Sequence, residues 1–555
     1  MRLLKSPDRA RYLLAIVTGL LLAAAYPKPG IAGLAWVAPG AMLAAAFGTR
    51  GWRAFRMGWI AGFAHFLASL YWLWNIPVMK LAPCIGWLAL SGYLALYTGA
   101  WTWLCCRFWP ALGGEADETL AIQLQRFASG RWIQRARWTW VCAAAWVALE
   151  MIRARLLTGF PWNLLGVSQG KLVPLIQIAS FTGVYGVSFL VAWFSTALLC
   201  AAALFAAGGR AMRFAKLEVL LPLVVVVGVL AWGLRVTLGP EADSGSLKMA
   251  LVQPSSPQKM IWDPGEGKNR FSKLLELSER AMAGKPKPAL IVWPEGGVPG
   301  FARWDTNIHH AITNFARRHG TWIVLSADDA APNPSRAPGE YDDFNGAFLV
   351  SPEGEFVAAY HKQRLVMFGE YIPLSGWLPF LSRWTGMGNF TAGTAPARFN
   401  APELHCTTSV LICFEDIFPH SVRAYVEEET DFLVNLTNDG WFGESAQQWQ
   451  HAANAAFRAV ENGVPLVRCA NNGLTCWIDS RGRLRDTAFE GTESIYGAGF
   501  KIVDVPLAEG SKRSATYYRR YGDVFGWGCV ALTTLVLLAG WRRGGSGRAT
   551  GKPIR

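Results

Sequence analysis

The 555-residue chain lacks most of the signatures that would make it a soluble nucleotide-, metal- or nucleic-acid-dependent protein. No Gly-rich phosphate loop and no dinucleotide fingerprint occurs, so the common nucleotide chemistries are excluded. Its eight His show no metal-ligand spacing; His309, His310 and His451 read as surface residues. There is no Lys/Arg run, no base-stacking motif, no internal repeat and no low-complexity stretch. The net charge of +14 therefore implies no nucleic-acid partner. No metal or organic cofactor is implied.

What the chain has instead is apolar sequence, 52% of residues, with 27 Trp. It dominates the first 240 positions and returns near the C-terminus. Eight stretches approach the roughly 20 residues that cross a bilayer: 12–27, 31–47, 56–76, 84–106, 138–152, 174–207, 217–237 and 522–541. The first is not read as a signal peptide, because seven more follow and Pro27-Lys28-Pro29 is a poor cleavage site. With the N-terminus inside, the inner segments 1–11, 48–56, 107–137, 208–216 and 542–555 carry 20 Lys and Arg. The outer loops 27–30, 77–83 and 153–173 carry five. Positive residues are retained on the cytoplasmic side, so both termini are expected in the cytoplasm and residues 240–515 outside it. The excess positive charge then belongs to loops facing anionic lipid.

The expected organisation is a membrane bundle of about seven helices at 1–240, a catalytic domain at 245–508, a last membrane helix at 520–541 and a basic cytoplasmic tail at 542–555. A polar hinge, LGPEADSGS, joins the first two. The middle of the chain alternates strands with helices expected at 267–284, 303–318, 418–428 and 445–462. Strand segments such as ALIVWP and TTSVLICF are Val/Ile/Leu runs, which suits strands buried on both faces. The fold class is thus a multi-pass α-helical membrane domain plus an extracytoplasmic α/β sandwich inserted before the last helix.

Of the ten Cys, Cys84, Cys105, Cys106, Cys142, Cys200 and Cys529 lie in or beside apolar stretches and read as small buried residues. Cys406, Cys413, Cys469 and Cys476 lie in the outer domain, where an oxidising compartment would permit a Cys469–Cys476 bridge. His65 and Asn75 sit in or at the end of an apolar stretch, and Glu150 with Arg153 are spaced to pair on a helix.

Three polar residues stand at the ends of apolar strands: Glu295, Lys362 and Cys413. A cysteine between a strand and an expected helix presents its thiol at the sheet edge, where helix amides favour a thiolate. A carboxylate can take the thiol proton, and an ammonium can stabilise the oxyanion formed when sulfur attacks a carbonyl. Each also has a structural reading: a core Cys, a turn Glu, a solvated Lys.

The segments around them decide between the two. VWPEGGVPG (292–300), YHKQRLVMFGEYIPL (360–374), LICFEDIFP (411–419) and NLTNDGWFG (435–443) resemble the nitrilase, or carbon-nitrogen hydrolase, superfamily, in the same order. With the membrane stretches, ALVQPSSPQKMIWD (250–263) and GFPWNLLG (159–166), residues 10–540 resemble the apolipoprotein N-acyltransferase family.

The resemblance implies a nitrilase-like αββα sandwich inserted before the last of eight transmembrane helices, in the bacterial inner membrane with the catalytic domain periplasmic. It implies a ping-pong reaction. Cys413 takes an acyl chain from a phospholipid, typically phosphatidylethanolamine, as a thioester. The α-amine of a diacylglyceryl-cysteine at the N-terminus of an apolipoprotein then accepts it. Glu295 is the implied base, Lys362 the oxyanion partner, and Glu370 an additional essential glutamate. Trp262, Phe414 and Glu415 fall at active-site positions, and a monomer is implied. Phe414 stands where Tyr is common, and Met367 interrupts the usual Val-Pro-Phe-Gly-Glu run.

A bilayer-resident acyl donor also explains the membrane domain, since extracting a lipid chain costs about 0.8 kcal/mol per CH₂. The apolar loop 371–394 is expected to act as an interfacial lid. The alternative is a membrane-tethered amidase with the same triad that passes the acyl group to water. A transporter or scaffold with a degenerate hydrolase domain fits poorly, because the triad is intact and paired, charge-bearing broken helices are missing.

Overall fold

Alternate residues of a strand face opposite ways, so a strand buried on both sides needs apolar residues at every position. Leu247, Met249 and Leu251 enter one core and Ala250 and Val252 another. This is the middle of the computed structural model, which describes residues 7–78, 81–108, 119–240, 243–333, 340–373, 390–508 and 513–546. The chain divides into two compact units, Met1–Gly239 with Arg520–Arg555, and Pro240–Arg519.

The second unit holds two six-stranded sheets. Their strands are β1 (Asp243–Gln253), β2 (Leu290–Val292), β3 (Trp322–Pro332), β4 (Tyr341–Val350), β5 (Phe356–His361), β6 (Arg398–Ala401), β7 (Cys406–Ile412), β8 (Phe432–Thr437), β9 (Leu466–Ala470), β10 (Cys476–Ile478), β11 (Leu484–Arg485) and β12 (Gly499–Ala508). One sheet runs β12-β1-β2-β3-β4-β5 and the other β11-β10-β9-β8-β7-β6. In each, the three central strands are parallel: β1-β2-β3 and β7-β8-β9.

Met249, Val292 and Val324 of the first sheet share a core with Val410, Val434 and Val467 of the second. On the other side of the first sheet, Ala250, Val252 and Ile291 meet helices Gly267–Met282 and Thr306–His319 through Phe271, Leu274, Ile312 and Phe315. Helix Gln447–Asn462 adds Ala452, Ala455, Ala456 and Ala459 to the second sheet's core. The order is helix, sheet, sheet, helix, the expected αββα sandwich. Each fully buried Leu, Val or Phe contributes about 1.5–3 kcal/mol. The four helices stand at 267–282, 306–319, 419–422 and 447–462; the third is one short turn followed by the 3₁₀ turn Arg423–Tyr425. Strands β6 and β11 were not expected; each is too short to show a period.

The first unit is helical, with long helices Pro7–Ala24, Gly51–Ser69, Ala82–Arg107, Trp132–Arg153, Val184–Ala207, Ala211–Leu238 and Val524–Ser546. The expected count of eight spans is not reproduced. Among the described residues, two helices, Val184–Ala207 and Ala211–Leu238, are long and apolar enough to cross a membrane. Stretch 31–47 folds as a 3₁₀ turn, Ala32–Trp36, and an eight-residue helix, Ala38–Ala45. At 1.5 Å per residue that helix is about 12 Å long, against roughly 30 Å of hydrocarbon. Stretch 174–207 breaks into two four-residue turns before the long helix starts at Gly183, whose φ of +64° favours glycine. Helix Pro7–Ala24 opens with Asp8, Arg9 and Arg11, and Trp132–Arg153 carries three Arg and a Glu, which dilutes both.

Glu150 and Arg153 do not pair with each other. Glu150 accepts from Trp146 Nε1 at 2.9 Å and Leu165 N at 2.6 Å. Arg153 donates to Asn163 O at 3.3 Å and lies over the Phe66 ring. His65 is buried against Tyr26 and Phe66. Arg135 meets Glu218 at 2.7 Å, both buried. Cys469 and Cys476 are free thiols: Cys469 Sγ points at the carbonyls of Val252 and Val292, both at 3.3 Å.

Candidate active site

Glu295 lies just beyond β2, Lys362 directly after β5, and Cys413 directly after β7. The carboxyl ends of parallel strands are where open α/β sheets gather ligand-binding groups. Lys362 is buried, with its ammonium 3.4 Å from Glu295 Oε1 and 2.7 Å from Glu370 Oε1. Asn345, in the middle of β4, ties the same two oxygens together: its Nδ2 donates to both at 2.9 Å. The far oxygens are held by backbone, Glu295 Oε2 by Asn438 N at 3.0 Å and Glu370 Oε2 by Val366 N at 2.8 Å. Burial alone would lower the ammonium's pKa, but Glu295 and Glu370 outweigh it and hold Lys362 above the usual lysine range.

Cys413 opens a five-residue 3₁₀ turn, Cys413–Ile417, ahead of the segment 418–428 where a helix is expected. The regular helix that follows, Pro419–Val422, has four residues, so the expected favouring of a thiolate by helix amides is lost. Burial and the charge of Glu295 push the pKa of Cys413 well above the cysteine range, opposed by Lys362. Cys413 has a backbone φ of +55°, unusual for a side chain with a Cβ, which costs about 1–2 kcal/mol. Asn435 Nδ2 pins the strained peptide by donating to Cys413 O at 2.8 Å.

Glu415 ties the lysine loop to the cysteine turn. Its buried carboxylate accepts from Ile412 N (2.8 Å), Gln363 N (2.8 Å), Arg364 N (3.0 Å) and the Tyr360 hydroxyl. The residues flanking Lys362 and the one preceding Cys413 thus share one anchor. Phe414 places its ring 5.6 Å from the Lys362 ammonium, a cation–π contact that needs no phenolic hydroxyl. Trp262 is partly exposed and packs edge-on against Trp441 at 5.1 Å.

The expected surface position of His451 is wrong. It is fully buried on helix Gln447–Asn462, between Asp416 and Asp439, with Arg468 beside it. The same helix buries Gln447, Gln448, Gln450, Asn454 and Arg458 as well, so polarity along it gives no sign of exposure. Asn345, Asn435 and Tyr360 were likewise not singled out; Asn435 and Asn438 lie in a recognised segment whose individual residues had no stated role. Of the expected lid, residues 374–389 lie outside the described residues, as does 547–555 of the expected tail. Among the described residues no cluster of three or more His, Cys, Asp or Glu could hold a metal.

A half-buried cysteine, a lysine paired with two carboxylates and the loops that carry them gather beyond the strand ends of this αββα domain. Residues 248–505 match the family described as carbon-nitrogen hydrolase, and residues 18–197 the apolipoprotein N-acyltransferase N-terminal domain. The chain is 36% identical to the apolipoprotein N-acyltransferase of Geobacter metallireducens, over 98% of each sequence. It is 31% identical to that of Brucella melitensis, over 88% of this chain and 84% of the relative. Among solved structures, an amidase from Nesterenkonia sp. aligns with 51% of this chain and 98% of its own, at 19% identity and a TM-score of 0.34. The chain belongs to the apolipoprotein N-acyltransferase family.

Proposed function

We propose that the protein N-acylates bacterial apolipoproteins by a two-step exchange through Cys413. In the first step Glu295 takes the thiol proton and the sulfur attacks the carbonyl carbon of a phospholipid acyl ester. Lys362 donates to the oxyanion. The ester C–O bond breaks, the leaving alkoxide recovers the proton from Glu295, and a lysophospholipid departs. In the second, the α-amine of a diacylglyceryl-cysteine attacks the thioester. Its nitrogen loses a proton to Glu295, the C–S bond breaks, and the proton returns to sulfur. Glu370 and Asn345 hold Lys362 and Glu295 in register throughout. Trp262 and Phe414 line the approach. The reading is carried by one observation: Lys362 is clamped between Glu295 and Glu370 beside a strained Cys413, in a chain of this family.

We place the first unit in the inner membrane, with both termini cytoplasmic and the second unit periplasmic. Support comes from the Lys/Arg asymmetry and from apolar side chains left exposed, among them Leu13, Val17 and Leu20, Phe214, Val224 and Val227, and Leu535. Water does not tolerate so wide an apolar surface. The long helices outside the two most apolar ones are read as further spans, their charged ends reaching the headgroups. Phosphatidylethanolamine is the proposed donor and a monomer the proposed state.

Incubation of the purified full chain with phosphatidylethanolamine, followed by intact-mass measurement, tests the chemistry. An acyl adduct released by hydroxylamine and missing from Cys413→Ala is expected. A wild-type protein with no adduct that hydrolyses small amides would be an amidase, and the lipid donor would be wrong.

A further inference from the structure

Glu295 and Glu370 against Lys362 leave one negative charge at the site. The phospholipid donor proposed above brings another, on its phosphodiester. Like charges repel, so seating that phosphate needs a cation that no carboxylate already neutralises. Two arginines near the site are engaged elsewhere. Arg303 pairs with Asp329. Arg270 is buried and donates to the carbonyls of Gly296 at 3.0 Å and Ile261 at 3.5 Å.

Arg364 is different. It lies two residues beyond Lys362, and its backbone N–H donates to Glu415 Oε1 at 3.0 Å, so the start of its side chain is fixed within the site. The residue is half-buried, and among the described residues its guanidinium has no carboxylate partner. It lies over the Phe418 ring, 5.2 Å from the centroid. Nε donates to Ser421 Oγ at 3.3 Å and Nη2 to His420 Nε2 at 3.3 Å. Arginine cannot accept a hydrogen bond, so that imidazole nitrogen is an unprotonated acceptor. A ring, a hydroxyl and an imidazole thus hold the fork in one orientation and leave its charge intact.

The surface between Lys362 and Arg364 is aromatic. Lys362 Nζ lies over Phe414 at 5.6 Å, Phe414 meets Phe418 edge-on at 5.4 Å, and Arg364 lies over Phe418. Two cations stand on two touching rings, with apolar surface between them. A glycerophospholipid presents groups in the matching order: an ester carbonyl for the lysine, glycerol carbons, then a phosphate.

We infer that Arg364 binds the headgroup phosphate of the acyl donor, with Ser421 and His420 orienting its fork, and so makes a phospholipid a better donor than a neutral glyceride. A planar guanidinium matches two phosphate oxygens at once. The inference rests on the phospholipid donor of the proposed function.

The test compares two soluble donors on the full chain in detergent. Dihexanoyl phosphatidylethanolamine and dihexanoylglycerol share the acyl ester and differ in the phosphate-bearing headgroup. Acylated Cys413 is followed by intact mass against donor concentration. In Arg364→Gln the phospholipid concentration giving half the maximal rate is expected to rise about tenfold, as for the loss of a charge-assisted hydrogen bond. The maximal rate, and the whole dihexanoylglycerol curve, should stay at wild type. Arg364→Lys keeps the charge without the fork and should fall between the two. Equal losses with both donors would show that Arg364 only supports the Glu415 anchor, and an unchanged phospholipid curve would remove it from the site; either overturns the inference. Inorganic phosphate at the donor's concentration is expected to leave the phospholipid reaction unchanged. Full inhibition of wild type but not of Arg364→Gln would assign the fork to free phosphate and overturn the headgroup site. A wild type acylated by p-nitrophenyl butyrate but by neither lipid sinks the proposed donor, and the phosphate site with it. A wild type acylated by both lipids and matched by Arg364→Gln sinks the site alone.

Discussion

At the scale of single residues the site is an exercise in keeping two carboxylates beside one ammonium. Three formal charges at Glu295, Glu370 and Lys362 sum to minus one, and the Asn345 amide supplies the donor that makes the second carboxylate tolerable. Asn345→Ala removes two charge-assisted hydrogen bonds, worth about 1–3 kcal/mol in such settings. Acyl-enzyme formation should slow by about tenfold to a hundredfold. Asn345→Asp should be slower still, because it adds a third carboxylate. A stopped time course read by intact mass checks the order; an Asp variant as fast as Ala would show that the amide is not acting as a donor. The ring face of Phe414 meets the Lys362 ammonium, a role any aromatic ring can fill.

At the scale of elements, four pieces of chain meet under Cys413: its own 3₁₀ turn, the turn after β8, helix Gln447–Asn462 and β9. His451 is the pin between them. His451→Gln leaves Asp416 and Asp439 with one cation, and breaking such a buried arrangement costs about 3–5 kcal/mol. A lower melting temperature of the second unit, measured in the full chain, is expected. Burial would lower the imidazole pKa, but Asp416 and Asp439 prevail and hold it above the ordinary value. Its contribution to stability is therefore complete below the unfolded value of about 6.5 and is lost as pH rises through the folded one. Asp439 runs the other way. Burial would raise its pKa, yet His451 and Arg468 hold it low, so its contribution is present above about 3.9 and lost as pH falls through the folded value. A melting temperature that rises from neutral to alkaline pH in wild type more steeply than in His451→Gln would contradict this account.

At the scale of the whole molecule the prediction concerns sides of a membrane. In the orientation proposed above, the Lys- and Arg-rich loops of the first unit face the cytoplasm. In spheroplasts, protease added outside should cut within the second unit and leave a C-terminal epitope intact. An epitope removed before the second unit is cut would reverse the proposed orientation.

The sequence by itself determined the αββα domain and pointed to the three residues proposed as its triad. Val/Ile/Leu runs identify doubly buried strands, and Glu295, Lys362 and Cys413 stand at strand ends inside recognisable segments. It also determined that two kinds of unit are joined, because water and lipid sort residues by hydropathy alone. Only the tertiary structure decided that His451 is buried, that Glu150 and Arg153 have separate partners, and that stretch 31–47 is a turn and a short helix. A residue's partners come from distant chain: Glu415 binds Gln363, and His451 binds Asp416. Hydrophobic pattern encodes which face is buried. It says nothing of which polar groups, brought together by the closing of two sheets, will satisfy one another there.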